Sequence, residues 1–502
     1  MSRRSPIALM SMPLAVAMAF ASGCAVGPDY RMPAAPEVSS FTATALPEST
    51  AGGAHSGDRA QHFVAATTAP EAWWRAFGSA ELDALVDRAL QQNPTIASAQ
   101  AALRQAQEMA AAQRGAFLPA VQASYSPTRA RAADATSSPL SSGASVYSLH
   151  TAQISVSYLL DAFGGNRRSV ESLEAQTESQ AWQLHAARLT LASNVVNAAL
   201  QEASLRDQLT VTERLIGIAE RQLRLLQLQR RLGAASGAAV LAQETLLRQA
   251  EALAAGLSKQ LAQQRDLLAA LVGTFPSELR PPALELSALR LPDVPTILPA
   301  RLVEQRPDVR AAEALLHSAN AEVGVAVANM LPQMTLTANY GASAETLGQL
   351  FRASGLLWGL GANLVQPVFQ GGTLLHRKRA AEAQFDQALA QYRSTVLNAF
   401  QNVADSLEAV RHDADQHIAT TRQESLAQAS LKIAQRQLEL GDISTLVLLN
   451  AETSFLQAAV ARIQAHASRL TDVVAVYQSL GGSWGEQSVG LHEDVVIRNG
   501  SR

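Results

Sequence analysis

Apolar residues recur along this chain with two different periods, and the two are segregated. Four stretches alternate apolar and polar residues one by one. Val121, Ala123 and Tyr125 alternate with Gln122, Ser124 and Ser126, and Ile154, Val156 and Tyr158 with Gln153, Ser155 and Ser157. Met334, Leu336, Ala338 and Tyr340 alternate with Gln333, Thr335, Thr337 and Asn339, and Trp358, Leu360, Ala362 and Leu364 with Gly359, Gly361 and Asn363. Successive side chains on a strand point to opposite faces, so each stretch predicts a strand with one apolar and one polar face. At about ten residues each they have the length of a tilted strand in an outer-membrane barrel. Polar segments 126–145 and 342–354 predict the connections within each pair.

Elsewhere the period is that of a coiled coil. From about Arg167 to Leu232 there is a single glycine (Gly217) and no proline, and from His376 to Leu440 there is neither. Helices of this length span roughly 100 Å. Their apolar positions step by four and three: Leu205, Leu209, Thr212, Ile216, Ala219, Leu223, Leu226 on the first and Phe385, Leu389, Tyr392, Val396, Ala399, Val403, Ser406, Val410 on the second. Two returning segments do the same, Ala250, Ala254, Leu257, Leu261, Gln264, Leu268, Leu271 and Leu456, Val460, Ile463, Ala467, Leu470, Val474, Tyr477. Sustained steps of this kind predict coiled-coil packing.

The joints between these helices echo each other: LGAASGAAVLAQET (232–245) and LGDISTLVLLNAET (440–453). Gly233 and Gly441 are helix-stopping residues, and Ser236 and Ser444 are N-caps for the returning helices. Each phrase therefore predicts a hairpin tip. The echo belongs to a larger duplication. Pro94 matches Pro307, Leu118-Pro119 matches Leu331-Pro332, Gly164-Gly165 matches Gly371-Gly372, and LVG (271–273) matches LGG (480–482), in the same order and at nearly constant offset. The expected organisation is a first repeat over 24–273, a Pro-rich linker over 274–299, a second repeat over 300–482 and a tail over 483–502.

Composition adds an address. The chain has 502 residues, 48% of them hydrophobic, only 17% charged and 5% aromatic. Its one cysteine, Cys24, excludes an internal disulfide. It follows a basic start (Arg3, Arg4), an apolar run from Ile7 to Phe20 and Ala21-Ser22-Gly23. Residues 1–23 read as an export signal, and the small residues before the lone cysteine resemble a bacterial lipobox, with Ala at position 21 where Leu is usual. Lipidation of Cys24 is the expectation, with a free thiol beside an ordinary cleavage site as the alternative. Ala25 is not the Asp that retains such lipoproteins at the inner membrane. The mature net charge is −5, against a nucleic-acid partner. No stretch after the signal is expected to reach the roughly 18 apolar residues of a spanning helix.

A water-soluble sheet with one buried face accounts for any one of the alternating strands, but four on an exported chain favour a membrane barrel. Open sheet edges cannot face lipid, and four strands cannot close a barrel. Oligomerisation follows, and three copies supply twelve strands and twelve helices. The chain carries no nucleotide-binding glycine loop, serine-nucleophile elbow or zinc-type Cys/His spacing, so neither an enzyme nor a metal site is expected. RHDADQH (His412, Asp413, Asp415, His417) reads as a solvated helix face. Arg167-Arg168 and Arg377-Lys378-Arg379 read as ties at the strand–helix junctions.

CAVGPDYRMP (24–33), WWRAFGSAELDALVDRALQQNP (73–94), LDAFGGNRR (160–168) and PVFQGG (367–372) resemble signatures of the TolC-type outer-membrane efflux proteins, specifically their lipidated, NodT-like branch. The resemblance covers essentially the whole mature chain. It implies an α+β fold, duplicated: a trimeric 12-stranded β-barrel with four strands per chain, continuous with a long α-helical coiled-coil barrel. It implies a homotrimeric channel in the outer membrane of a Gram-negative bacterium, extending into the periplasm and exporting drugs or other toxic small molecules. The implied partners are outer-membrane lipid, a periplasmic adaptor (membrane fusion protein) and an inner-membrane pump of the RND type. The covalent lipid on Cys24 is the only prosthetic group implied. Gly233, Ala234, Ala235, Gly441, Asp442 and Ile443 are the implied adaptor contacts. Leu446 matches an apolar ring of the periplasmic gate, while Asn450 and Ala239 stand where relatives keep acidic rings. The alternatives are a lipid-anchored periplasmic scaffold or adaptor without a pore and, among channels, type I protein secretion or metal-ion efflux.

Overall fold

The computed structural model describes residues 25–34, 36–53, 59–66, 70–133 and 145–482. Cys24, the signal segment 1–23 and the tail 483–502 lie outside them. The described chain divides into two compact units.

The first unit comprises Ala102–Gln180 and Ala312–Tyr392 together with the N-terminal residues up to Pro33. Its centre is a four-stranded antiparallel sheet. With β1 (Phe63–Ala65) and β4 (Val294–Thr296) belonging to the other unit, its strands are β2 (Ala120–Arg131), β3 (Val146–Leu160), β5 (Gln333–Ala344) and β6 (Leu356–Val365). Their order is β2-β3-β5-β6, so the middle pair joins the two repeats and β2 and β6 are the edges. The ladder carries β2 and β5 beyond the alternating residues, so Ser126–Arg131 and Ala342–Ala344 are strand rather than connection. Register aligns the alternation across the sheet. Ala123, Ile154, Tyr340 and Trp358 stand in one row and Val121, Val156, Ala338 and Leu360 in the next. The rows between them, such as Gln122, Ser155, Asn339 and Gly359, point to the other face. On that polar face a Cβ at Gly359 would lie 2.6 Å from Asn339 Oδ1, which accounts for glycine in the middle of an exposed strand.

The second unit comprises Ala34–Ala101, Ala181–Ala311 and the residues from Arg393 on. Helices α1 (Ala80–Gln92) and α2 (Pro94–Arg114) lead to the sheet in the first repeat. A first hairpin follows, α3 (Gly165–Arg231) and α4 (Gly237–Val272). In the second repeat α5 (Pro299–Gln305) and α6 (Pro307–Ala328) precede the strands, and α7 (Thr373–Leu440) and α8 (Thr445–Ser479) form the second hairpin. The heptad positions are the buried ones: Leu205, Thr212, Ala219, Leu257, Leu261 and Leu268 in the first hairpin, and Val396, Ala399, Val403, Ile463, Leu470 and Val474 in the second. Ser79 caps α1 by accepting from Leu82 N at 3.3 Å.

Two features were absent from the sequence pattern. Phe63–Ala65 pairs in parallel with Val294–Thr296, and Trp73 stacks on Tyr477 at 5.4 Å, so the N-terminal region closes on the Pro-rich segment and on α8. That segment is itself packed, with Leu284, Leu286, Leu289 and Val294 buried. Helix α8 also corrects one expectation. It is long and apolar enough to cross a membrane, with a hydropathy of 1.2 over an 18-residue window. Its apolar side is nevertheless buried on partner helices in the coiled coil.

Candidate functional site

Among the described residues nothing covers the sheet's apolar face. Trp358 is 74% exposed and Leu360 78%, with Val121, Ile154, Tyr340 and Leu364 also exposed beside them. A band of this width on a structured face is an interaction surface rather than chance exposure. Among the described residues the two edge strands each leave one row of backbone groups unpaired.

Where β3 runs into α3, the chain turns through Gly164 (φ +77). Asp161 accepts the backbone N–H groups of Asn166 (2.9 Å) and Arg167 (3.0 Å), capping the long helix. The first residues after Cys24 are tied to this junction. Val26 N donates to Phe163 O at 3.1 Å, and buried Arg168 holds Val26 O at 3.2 Å and Asp29 at 2.7 Å. A Cβ on Gly164 would meet Ala25 at 2.7 Å, and one on Gly27 would meet Gly324 at 2.6 Å. Tyr30 stacks on His317 at 4.4 Å. Arg167 and Arg168 thus tie this junction, the first to Asp161 and the second to the N-terminal segment, whereas Lys378 pairs within its own helix, with Glu382 at 3.1 Å.

The hairpin ends follow one plan. Gly233 (φ +78) and Gly441 (φ +81) take the left-handed conformation. Ala234 N then donates to Gln229 O at 2.8 Å and Asp442 N to Gln437 O at 2.9 Å, a Schellman closure in both. Gly233, Ala234, Gly441 and Asp442 are exposed, whereas Ala235 and Ile443 turn onto the apolar cores of their own hairpins. Leu446 and Asn450, four residues apart on α8, are exposed. Ala239 packs against Val240, Leu247 and Leu223, inside the first hairpin. The caps differ from expectation: Ser236 Oγ accepts Ala239 N at 3.1 Å, but Ser444 makes no side-chain cap bond. There Val447 N bonds the Ser444 carbonyl instead, at 3.0 Å.

The hairpins also bury ionisable groups, some of which the sequence did not place and one of which, in RHDADQH, it read as solvated. The echoed glutamates diverge: Glu244 is half-buried beside Arg248 (3.7 Å), while Glu452 is 0% exposed. Neither oxygen of Glu452 accepts a hydrogen bond of normal geometry. Burial pushes its carboxyl up to about 7, and only the Gln222 side chain, on α3, pulls the other way. RHDADQH is not a wholly solvated face. His412 and Asp415 are exposed, but His417 is 3% exposed and its ring lies 5.2 Å from that of His466. Asp413 faces Asp472, whose carboxyl is raised by burial first and by the Asp413 carboxylate second. The reason is helical geometry: positions four apart share a face, and here that face meets α8 rather than water. Among the described residues no three His, Cys, Asp or Glu side chains converge on a metal position.

An exposed apolar four-stranded sheet built from two repeats, each followed by a helical hairpin of about 100 Å, defines an outer-membrane protein with a duplicated α+β fold. The sequence profile of the outer membrane efflux protein family matches residues 85–274 and 298–482, and the chain belongs to that family. It is 31% identical to the pyoverdine export outer membrane protein OpmQ of Pseudomonas aeruginosa, over 84% of this chain and 89% of that one. It is equally 31% identical to the toluene efflux pump outer membrane protein TtgC of Pseudomonas putida, over 95% and 96% of the two. The solved outer-membrane channel OprN superposes with a TM-score of 0.81 at 25% identity, over 92% of this chain and all of that one. The protein is an outer-membrane channel component of an efflux system, reaching into the periplasm.

Proposed function

We propose that three copies of this chain form one lipid-anchored conduit that carries toxic small molecules outward from an inner-membrane pump of the RND type and its periplasmic adaptor. The observation that carries the reading is the sheet: two edge strands with unpaired backbone and a lipid-sized apolar face. In hydrocarbon every backbone group needs a partner, and four strands are too few to close on themselves, so neighbouring copies pair edge to edge into a twelve-stranded barrel. A second stripe supports the same assembly. Leu426, Ile433 and Leu440 recur every seven residues on the exposed side of α7, and Leu225, Leu228 and Leu232 line the exposed side of α3.

Acyl chains on Cys24 would enter the bilayer beside the strand–helix junction, because Ala25 and Val26 are fixed against Phe163 and Gly164. The adaptor contacts are Gly233, Ala234, Gly441 and Asp442, with Ala235 and Ile443 supporting the turns from below. Leu446 and Asn450 form the gate constriction, and Ala239 supports it through the first hairpin's core. Three Asn450 side chains present amides where three carboxylates would concentrate cations. Relatives named for pyoverdine export and toluene efflux make organic small molecules the first substrate class; metal-ion efflux and protein secretion come behind it.

Single-channel recording of the purified protein in asymmetric salt tests the reading. The expected result is a discrete conductance with weak cation preference that strengthens several-fold in N450D. No conductance in any bilayer would leave the anchored scaffold, and strong cation preference that vanishes only when Asn450 is changed would overturn the gate assignment.

A further inference from the structure

The two hairpins treat buried acids in opposite ways. In the first, Glu202 is buried between Arg206 (3.1 Å) and Arg265 (3.0 Å). Asp207, half-buried on the same helix, has its carboxyl raised by burial first, but the Arg206 and Arg462 cations pull it back down. The second hairpin offers its buried acids almost no positive charge. Glu452 meets only the Gln222 amide. Asp472 meets the carboxyl of Asp413, and its Oδ2 has no hydrogen-bond partner. The cation near that pair, Arg469, is 1% exposed and donates to Arg59 O (3.1 Å) and Gln61 Oε1 (3.2 Å).

We propose that the second hairpin is held packed by protons: Glu452 and Asp472 must be protonated for α8 to stay seated on α3 and α7, and deprotonation loosens α8 while the first hairpin stays closed. Burying a carboxylate without a partner is costly, so ionisation favours any arrangement that admits water. Packed acids with raised affinity for protons release them on loosening. The packed state is therefore fully favoured below the ordinary carboxylate range and loses ground as pH climbs to the raised values, near 7 for Glu452. Within that window each such group shifts the opening equilibrium by up to about tenfold per pH unit.

Other ionisable groups line the same helices. His417 and His466 face each other beyond the acid pair, and the Glu424–Arg462 ion pair lies further along, beside a cavity of about 840 Å³ that Asp207, Arg290 and Asp293 also line. Both histidines are unchanged in the carboxyl-to-amide variants, so whatever they contribute to the pH profile is common to wild type and variants.

Hydrogen–deuterium exchange of the full-length protein in detergent, corrected for intrinsic rate, reads the effect directly. From pH 5 to pH 8 the protection of 445–479 relative to 237–272 is expected to fall at least about tenfold. E452Q and D472N are each expected to remove part of that fall, and the double variant most of it. A flat ratio in the wild type, or an undiminished fall in the double variant, overturns the proposal. The single variants keep the test open if the double one does not fold. The readout involves no conduction, so its failure is distinct from failure of the channel reading.

Discussion

The two repeats reach the same architecture with different chemistry, most plainly where each hairpin is tied back to its preceding helices. In the first repeat the residue before the helix-starting proline is Asn93. Its side chain accepts Thr95 N at 2.8 Å and donates to Leu271 O, also at 2.8 Å. In the second repeat the same position is Arg306. It donates to Ser479 O at 2.8 Å and Ala399 O at 3.4 Å, and grips Asp308 with two nitrogens at 2.9 and 2.6 Å. A short neutral amide and a long cation perform one task, closing the end of a hairpin onto the neighbouring helix pair. Duplication preserves the geometry that the backbone demands, while the donor itself is free to change.

That contrast is most exposed to R306A. Truncation removes the Arg306 bonds to the Ser479 and Ala399 carbonyls and leaves Asp308 without its charge partner, for an expected loss of about 3 kcal/mol. N93A removes one buried bond and one cap and costs about 1–2 kcal/mol. Denaturant unfolding of the detergent-solubilised protein measures both. Equal losses would show that the second tie owes nothing to the Arg306–Asp308 charge pair.

What the sequence made legible is what local periodicity dictates. Alternation located four strands, the four-and-three steps located the coiled-coil faces, and glycines located the tips, because each depends on residues adjacent along the chain. What it concealed depends on partners distant in sequence. The pairing of Phe63–Ala65 with Val294–Thr296 has no local signature in three residues. Glu244 and Glu452 are the same letter in the same phrase, yet one is half-buried and the other fully buried, because only the second faces α3. RHDADQH looked solvated for the same reason: a helix with polar residues all round shows its buried face only when the opposing helix is known. Of the candidate site residues, the glycines at the tips were legible from φ demands alone, while the inward turn of Ala235, Ala239 and Ile443 was not.

Gly233 and Gly441 sharpen the comparison from the side of likeness. Both have positive φ near 80°, and a Cβ on either would meet nothing within 4 Å. The cost of alanine is then backbone strain alone, about 1 kcal/mol, and the same in G233A and G441A. Asparagine should recover part of it at both tips. A thermal midpoint that drops clearly more for one variant would mean that its tip is held by something besides its own turn.

The smallest expected difference separates the two caps. Ser236 and Ser444 have nearly the same backbone, φ/ψ −78/154 and −80/155. Only Ser236 turns its hydroxyl onto an orphan amide, that of Ala239; at the second tip the Ser444 carbonyl already takes the Val447 N–H. S236A should therefore cost about 1 kcal/mol, within the range for a lost N-cap, and S444A only a few tenths. Amide exchange at Ala239 and Val447 resolves the pair independently of global stability: Ala239 should lose protection in S236A, and Val447 should keep it in S444A. Equal losses at both would mean that the Ser444 hydroxyl rotates onto its helix in solution. The two tips would then differ only in what they present to a partner, Ala234-Ala235 against Asp442-Ile443, and not in how firmly each returning helix begins.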